Sequence, residues 1–139
     1  MGSSETTFHV RYAETDAMGI VHHSVYVVWF EEGRSHYMRS RGADYARFEA
    51  DGLSFALSEL EARYVAPARY GQRVTVRTTL ESIRSRSLSL TYEVLEAESK
   101  NALVTGRTKL ICVDRAGQVT RIPPAWRELM LQEGPASGG

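Results

Sequence analysis

One segment with helical periodicity, followed by a series of segments with strand periodicity, constrains the fold of this chain more than any other feature. In residues 24–41, apolar side chains recur at three- and four-residue spacing, and the first turns are apolar on nearly every side. A helix of this kind has to be buried on most of its faces. Ser24 is a suitable N-cap and Gly42 a suitable C-terminal stop, so the pattern predicts one long helix between them.

Outside this helix the apolar residues alternate with a period of two. The sequence predicts a first strand over residues 6–12 and four longer strands over residues 58–66, 74–83, 87–96 and 102–114, with turn-forming residues between them. About five strands in one sheet then have to bury an unusually apolar helix. The simplest arrangement is a curved antiparallel β-sheet wrapped around the long central helix, which is the hotdog fold. We therefore predict an α+β protein with this fold.

The chain has 139 residues, which is the size of one ordinary domain. We expect a flexible N-terminal segment over residues 1–6, a folded domain over residues 7–131, and a disordered tail over residues 132–139. The tail is expected from its small and turn-forming residues, EGPASGG. Short helices are predicted over residues 43–51 and 125–132, the second of them behind two prolines.

Composition argues against several classes of function. With 17 basic and 17 acidic residues the formal net charge is zero, whereas binding to nucleic acid needs a basic excess. No signal peptide and no apolar run of about 18 residues is visible, so we expect a cytoplasmic protein that does not enter a membrane. The single cysteine, Cys112, is expected to be a buried hydrophobic residue. His22 and His23 are adjacent, and no spacing of acids or cysteines completes a zinc site, so we expect no metal.

The loop before the long helix carries the strongest motif. Residues 16–26, DAMGIVHHSVY, follow the pattern D-x-x-G-[VI]-V-x-[HNY] and lead into a helix that contains FEEGR. This segment resembles the signature of the 4-hydroxybenzoyl-CoA thioesterase family, which comprises hotdog-fold acyl-CoA thioesterases. RYVAPARYGQRV is similar to the family's Y-x-x-P-x-x-x-G-D stretch, with Gln72 in place of the final acid, and PPAWREL is similar to its C-terminal end. The resemblance covers about residues 7–131.

The resemblance implies an acyl-CoA thioesterase, which converts acyl-CoA and water into a free acid and CoA. CoA is part of the substrate, so no separate cofactor is expected. Asp16 is then either the nucleophile, through a mixed anhydride, or the general base that activates water, and the sequence leaves both routes open. The family's backbone donor to the thioester carbonyl lies seven residues after the aspartate, which is the N–H of His23.

Elementary chemistry agrees with these roles. The developing oxyanion needs hydrogen-bond donors, and the first N–H groups of a helix have no partner within the helix and carry partial positive charge. Gly19 allows the loop to turn and the substrate to approach its backbone. Tyr26 lies one turn past the donor and is a candidate contact for the acyl group, although a core position is an equal alternative.

Coenzyme A also carries phosphates, and arginine forks match phosphate geometry. Arg84, Arg86 and Ser87 in the SIRSRSL hairpin are therefore candidate CoA-binding residues. The alternative is an ordinary solvated hairpin whose charges protect a sheet edge. Glu31 and Glu32 on the helix are expected to be surface or interface charges, because the loop aspartate is present.

Two other functions occur on this fold. A hotdog enoyl-CoA hydratase has the pattern D-x-N-P-[IL]-H, which would require a histidine where this chain has Val21. A non-catalytic acyl-CoA-binding module would keep the pocket and lose the acid, whereas Asp16 is present. The fold also leaves an edge strand and outer apolar positions such as Ile111 and Val113. We therefore expect a homodimer or a homotetramer built as a dimer of dimers, with active sites at the subunit interface as the resemblance implies.

Overall fold

The computed structural model describes residues 2–133 and contains every predicted helix and strand. In chain order the elements are β1 (Ser3–His9), a 3₁₀ turn (Tyr12–Glu14), α1 (Val25–Ser40), α2 (Tyr45–Ala50), β2 (Ser54–Tyr64), β3 (Arg73–Ile83), β4 (Ser87–Glu96), β5 (Ala102–Val113) and α3 (Pro124–Leu131).

As predicted, the five strands form one antiparallel sheet, and the structure gives their order as β1-β3-β4-β5-β2. β5 lies inside the sheet, between β4 and β2, which explains why it is apolar on both faces. Cys112 points from β5 into the core and is fully buried, as expected, and burial raises the pKa of its thiol. β1 and β2 are the two edges.

The expectation of a flexible segment over residues 1–6 is wrong for residues 3–6. These residues belong to β1, which pairs with β3 from Ser3 opposite Thr79 to His9 opposite Arg73. Their side chains are polar, so no apolar alternation marked them, and backbone pairing determines where the strand begins. β1 also ends at His9, three residues before the predicted end, because the chain then turns into the 3₁₀ turn. Of the predicted tail, residues 134–139 lie outside the described part of the chain.

The long helix α1 packs against β1, β3 and β4 with one continuous buried face. Two glycines allow the close approach. A Cβ at Gly33 would overlap Val76 and Thr78 on β3, and a Cβ at Gly106 on β5 would overlap the ring of Phe30. The buried residues of α1 are Tyr26, Trp29, Phe30, Gly33, Tyr37 and Met38.

The two ends of α1 differ in how they are closed. Gly42, with φ +74°, follows the last turn in the left-handed conformation that suits a helix stop, as predicted. Ser24 precedes the first turn, but its side chain makes no capping hydrogen bond. Its hydroxyl instead lies 2.8 Å from Nδ1 of His22. The start of α1 therefore keeps N–H groups that no serine side chain occupies.

No helix within residues 2–133 combines the length and the apolar character that crossing a bilayer requires.

Candidate active site

A tight loop over residues 14–22 presents Asp16 just ahead of α1. The Asp16 N–H donates to the Ile20 carbonyl at 2.8 Å, and the Gly19 N–H donates to the Asp16 carbonyl at 3.0 Å. Gly19 has φ +78°, which a residue with a side chain rarely adopts, so this turn depends on glycine. Oδ1 of Asp16 accepts the Met18 N–H at 2.8 Å, which makes the acid a turn residue as well. Its other carboxylate oxygen has no hydrogen-bond partner in residues 2–133.

Asp16 borders a largely apolar cavity of about 340 Å³. Its wall is built by the Asp16 loop, by the start of α1, and by the end of β2 with residues 65–67. The cavity brings together three of the predicted site residues, Asp16, His23 and Tyr26. A largely apolar cavity of this size with a few polar residues at its edge is typical of a small-molecule site.

His23 is held firmly while its own N–H stays uncommitted. The preceding N–H, of His22, donates to the Glu14 carbonyl at 3.0 Å, and the Tyr64 hydroxyl donates to the His23 carbonyl at 2.9 Å. Within the described residues the N–H of His23 has no hydrogen-bond partner. A fixed but free donor beside the cavity is the arrangement that an oxyanion needs.

Tyr26 is a core residue and a cavity residue at once. Its side chain is buried, its ring meets those of Trp29 and Tyr64 edge-on, and burial raises the pKa of its hydroxyl. The hydroxyl oxygen accepts the Ala68 N–H at 2.9 Å, which ties the segment after β2 to α1. Tyr26 thus shapes the cavity wall and also fixes the neighbouring backbone.

The connection between β2 and β3 supports the Asp16 loop from behind. The Val21 N–H donates to the Ala68 carbonyl at 2.9 Å, and Ile20 pairs with Arg69. Gln72, which stands where the family pattern has an acid, accepts the Arg69 N–H through Oε1 at 2.8 Å. A carboxylate oxygen could accept the same bond, so the glutamine preserves this turn.

Glu14 is a buried carboxylate that the sequence analysis did not single out. It is 7% exposed and accepts three hydrogen bonds, from Trp29 Nε1 at 2.8 Å, from the Arg11 N–H at 2.7 Å and from the Arg11 guanidinium at 3.0 Å. Burial on its own would raise the pKa of this carboxyl. The bonds from Arg11 and Trp29 outweigh burial and hold the pKa below its usual value.

Arg84, Arg86 and Ser87 lie far from this cavity within one chain. They form the hairpin between β3 and β4, whereas the Asp16 loop lies beside the other end of β3. β3 has 11 residues, so at about 3.3 Å per residue its ends are at most roughly 33 Å apart. Both arginines are exposed. The hairpin borders a groove of about 380 Å³ that Arg121 and Arg127 also line.

Glu31 and Glu32 are exposed on α1, as predicted. Glu31 lies 3.8 Å from Arg34, and Glu32 lies 3.6 Å from Arg39. Neither lines the cavity beside Asp16. No group of three or more His, Cys, Asp and Glu side chains able to hold a metal ion occurs in the part of the chain that the structure describes.

Comparison with known proteins identifies the family. The profile of the Thioesterase-like superfamily matches residues 10–130. The chain belongs to this superfamily. The resemblance inferred from residues 16–26 is thereby confirmed, and so is the prediction of a thioester hydrolase.

Three relatives show how similar this superfamily member is to known proteins in sequence and in structure. The acyl-CoA thioester hydrolase YbgC of Escherichia coli is 30% identical over 105 residues, which cover 76% of this chain and 78% of that protein. A hypothetical protein of Thermus thermophilus, TT1821, is 40% identical with a TM-score of 0.86, covering 91% of this chain and 96% of its own. DHNA-CoA thioesterase of Staphylococcus aureus is 29% identical with a TM-score of 0.90, covering 97% of this chain and 100% of its own. These matches confirm the hotdog fold.

Two residues at this site of the superfamily member, Glu14 and Tyr64, were not predicted as site residues. Tyr64 stands in the RYVAP stretch that is similar to the family pattern, and this similarity is the sequence signal that points to it. Glu14 lies two residues before Asp16, but its partner Trp29 is 15 residues away and only the fold brings them together.

Proposed function

We propose that this protein hydrolyses the thioester bond of acyl-CoA, releasing the free acid and CoA. One observation carries the proposal: Asp16 and His23, whose backbone N–H is uncommitted, line the same apolar cavity. Two relatives support it, the acyl-CoA thioester hydrolase of E. coli and the DHNA-CoA thioesterase of S. aureus.

In the proposed reaction the acyl group occupies the cavity against Tyr26, and its carbonyl oxygen accepts the His23 N–H. The charge that develops on this oxygen is stabilised by a donor that needs no reorganisation. Gly19 keeps the loop backbone accessible to the thioester. The C–S bond breaks, and the CoA thiolate leaves and takes up a proton.

Asp16 has two routes to the same products. As a general base it removes a proton from the water that attacks the carbonyl carbon. As a nucleophile it forms a mixed anhydride, which water then hydrolyses. A single turnover in oxygen-18 water distinguishes them, because label that appears in the Asp16 carboxylate marks the nucleophilic route.

Release of free thiol from a panel of saturated acyl-CoA substrates, both aromatic and aliphatic, tests the proposed function and ranks the acyl groups. We expect stoichiometric CoA release for at least one class. Loss of crotonyl-CoA absorbance without thiol release would indicate a hydratase instead. Tight binding of acyl-CoA without turnover would indicate a binding module.

The proposed enzyme is a homodimer or a dimer of dimers. β2 is an edge strand, and on its helix-facing side Leu57, Leu60 and Tyr64 are 51%, 41% and 50% exposed. A second copy would cover these side chains and the free strand edge. Light scattering at micromolar concentration should give two or four times the chain mass of 15.6 kDa. A monomeric mass would contradict this assembly.

We further propose that Arg84, Arg86 and Ser87 hold the CoA phosphates of a neighbouring subunit's active site. The hairpin lies at the opposite end of β3 from the Asp16 loop, which favours a contact with the active site of another subunit over one with the same chain's site. Replacing both arginines with alanine should raise KM for acyl-CoA with little change in kcat, because phosphate contacts stabilise ground and transition states alike.

Two controls sharpen this test. The double variant Arg39→Ala, Arg47→Ala removes the same charge from exposed positions outside the hairpin and should leave KM unchanged. An acyl-N-acetylcysteamine substrate lacks the phosphates and should be hydrolysed equally by the hairpin variant and the native protein. An unchanged KM for acyl-CoA at low salt, where screening is weakest, would assign phosphate binding to other residues.

A further inference from the structure

Glu14 has no role in the chemistry proposed above, yet it lies close in the chain or by hydrogen bonding to the neighbours of both groups that carry it. Its side chain is fixed to α1 by the hydrogen bond from Trp29 Nε1. Two hydrogen bonds from Arg11 fix it to the segment between β1 and the 3₁₀ turn. Its backbone carbonyl accepts the His22 N–H, one residue before the proposed oxyanion donor. Asp16 follows it by two residues in the chain.

The loop between Glu14 and His22 is held by hydrogen bonds between its own two arms. Thr15 pairs with Val21, and the Asp16 N–H donates to the Ile20 carbonyl, so the two arms of the loop are joined to each other from the residue after Glu14 onward. Trp29 is 1% exposed and its indole packs against Phe8 and Tyr26, so the donor that holds Glu14 is itself packed in the core. Any shift of the Glu14 backbone therefore moves both arms relative to α1.

We propose that Glu14 is a positioning residue, which locks the Asp16 loop to α1 through Trp29 and so sets the separation between Asp16 and the His23 N–H. This inference rests on the proposed function. Reaction requires the attacking group and the oxyanion donor to keep their places within a fraction of an ångström, and a displacement of about 1 Å costs roughly 100-fold in rate.

A buried acid with three donors also contributes to folding, so loss of activity alone would not identify a positioning role. The distinguishing readout is a double-mutant cycle with Asp16→Asn. If Glu14 acts through Asp16, its replacement slows the native protein but adds little to a protein whose Asp16 is already disabled. A general loss of folded protein lowers both rates by the same factor.

The experiment measures single-turnover rates and KM for Glu14→Ala, Glu14→Gln and Trp29→Phe, each with and without Asp16→Asn. Trp29→Phe is the matched variant, since it deletes the donor to Glu14 and keeps an aromatic ring. We expect Glu14→Ala to lower kcat by about 100-fold with KM changed less than about threefold, and the other two to lower kcat by a smaller factor. In the Asp16→Asn protein all three should change the residual rate less than about threefold.

Two results would overturn the inference. One is equal rate loss with and without Asp16→Asn. The other is a kcat of folded Glu14→Ala that stays within about threefold of the native value. If Glu14→Ala does not fold, the same result for Trp29→Phe would overturn the inference. Failure of the proposed function is a separate outcome, because it appears as the absence of thiol release by the native protein from every acyl-CoA substrate. Full activity of the single variant Asp16→Asn would instead remove only the catalytic role of Asp16.

Discussion

Asp16→Asn is expected to lower kcat by about 10²–10⁴-fold while the protein stays folded and still binds its ligand. Asparagine keeps the shape of the side chain but can neither attack a thioester nor accept a proton from water. Loss of a general base of this kind costs about 10²–10⁴ in rate, which is roughly 3–5 kcal/mol of activation free energy.

The loop should tolerate this change. The amide oxygen of asparagine can accept the Met18 N–H that Oδ1 of Asp16 accepts at 2.8 Å, and asparagine suits such turns about as well as aspartate. The backbone N–H of His23 is untouched, so a non-hydrolysable acyl-CoA analogue should bind with near-native affinity. Isothermal titration of the analogue and steady-state thiol release measure the two effects separately.

His23→Ala serves as the control, since it removes the imidazole and keeps the backbone donor. Its rate loss should be much smaller than that of Asp16→Asn. If the asparagine variant keeps more than about a tenth of the native kcat, well short of the loss expected for a catalytic base, Asp16 is neither base nor nucleophile. Glu31 and Glu32 would then be the next carboxylates to replace.

The second large effect is expected for Phe30→Ala, which should destabilise the fold by about 3–5 kcal/mol. Phe30 has no exposed surface, stacks on Tyr92 with ring centroids 4.5 Å apart, and fills the space above Gly106. Because β5 has no side chain at Gly106 to move inward, the cavity left by the ring cannot close. Urea unfolding at fixed protein concentration measures the change in free energy.

Val28→Ala on the same helix is the matched control for stability. Val28 is 53% exposed, so its truncation should change the free energy of unfolding by no more than about 0.5 kcal/mol. A loss below about 1 kcal/mol for Phe30→Ala would mean that the helix–sheet interface relaxes into the space of the ring, against the close packing described at Gly33 and Gly106.

The fold was predictable because its signals are local. The period of three to four in α1 and the period of two in β2 to β5 each occur within one element, and Gly42 marks the end of α1 in the sequence itself. β1 was placed three residues too late because Ser3, Ser4 and Glu5 carry no apolar pattern. Their place in the sheet follows from pairing with β3, more than 70 residues away.

The candidate site was predictable only where it coincides with a contiguous motif. Asp16, Gly19 and His23 lie within one segment of eight residues, so a single sequence motif contains all three. The hydrogen bond from Tyr64 to His23 spans 41 residues and the bond from Trp29 to Glu14 spans 15, and neither partner reveals the other in the sequence. The same limit applies to the Arg84 hairpin, whose distance from Asp16 depends on the direction in which β3 runs.

The serine at the start of α1 that does not cap its helix has a consequence for attempts to stabilise this protein. A hydroxyl that served the first turn would strengthen the helix by roughly 0.5–2 kcal/mol. In this chain Ser24 turns to His22, and the positive end of the helix dipole remains open beside the cavity. A capping side chain introduced to stabilise this helix end would compete with the substrate for the same partial positive charge. Stabilising substitutions are better placed at the C-terminal end of α1 or in the core, where a gain in stability does not lower the catalytic rate.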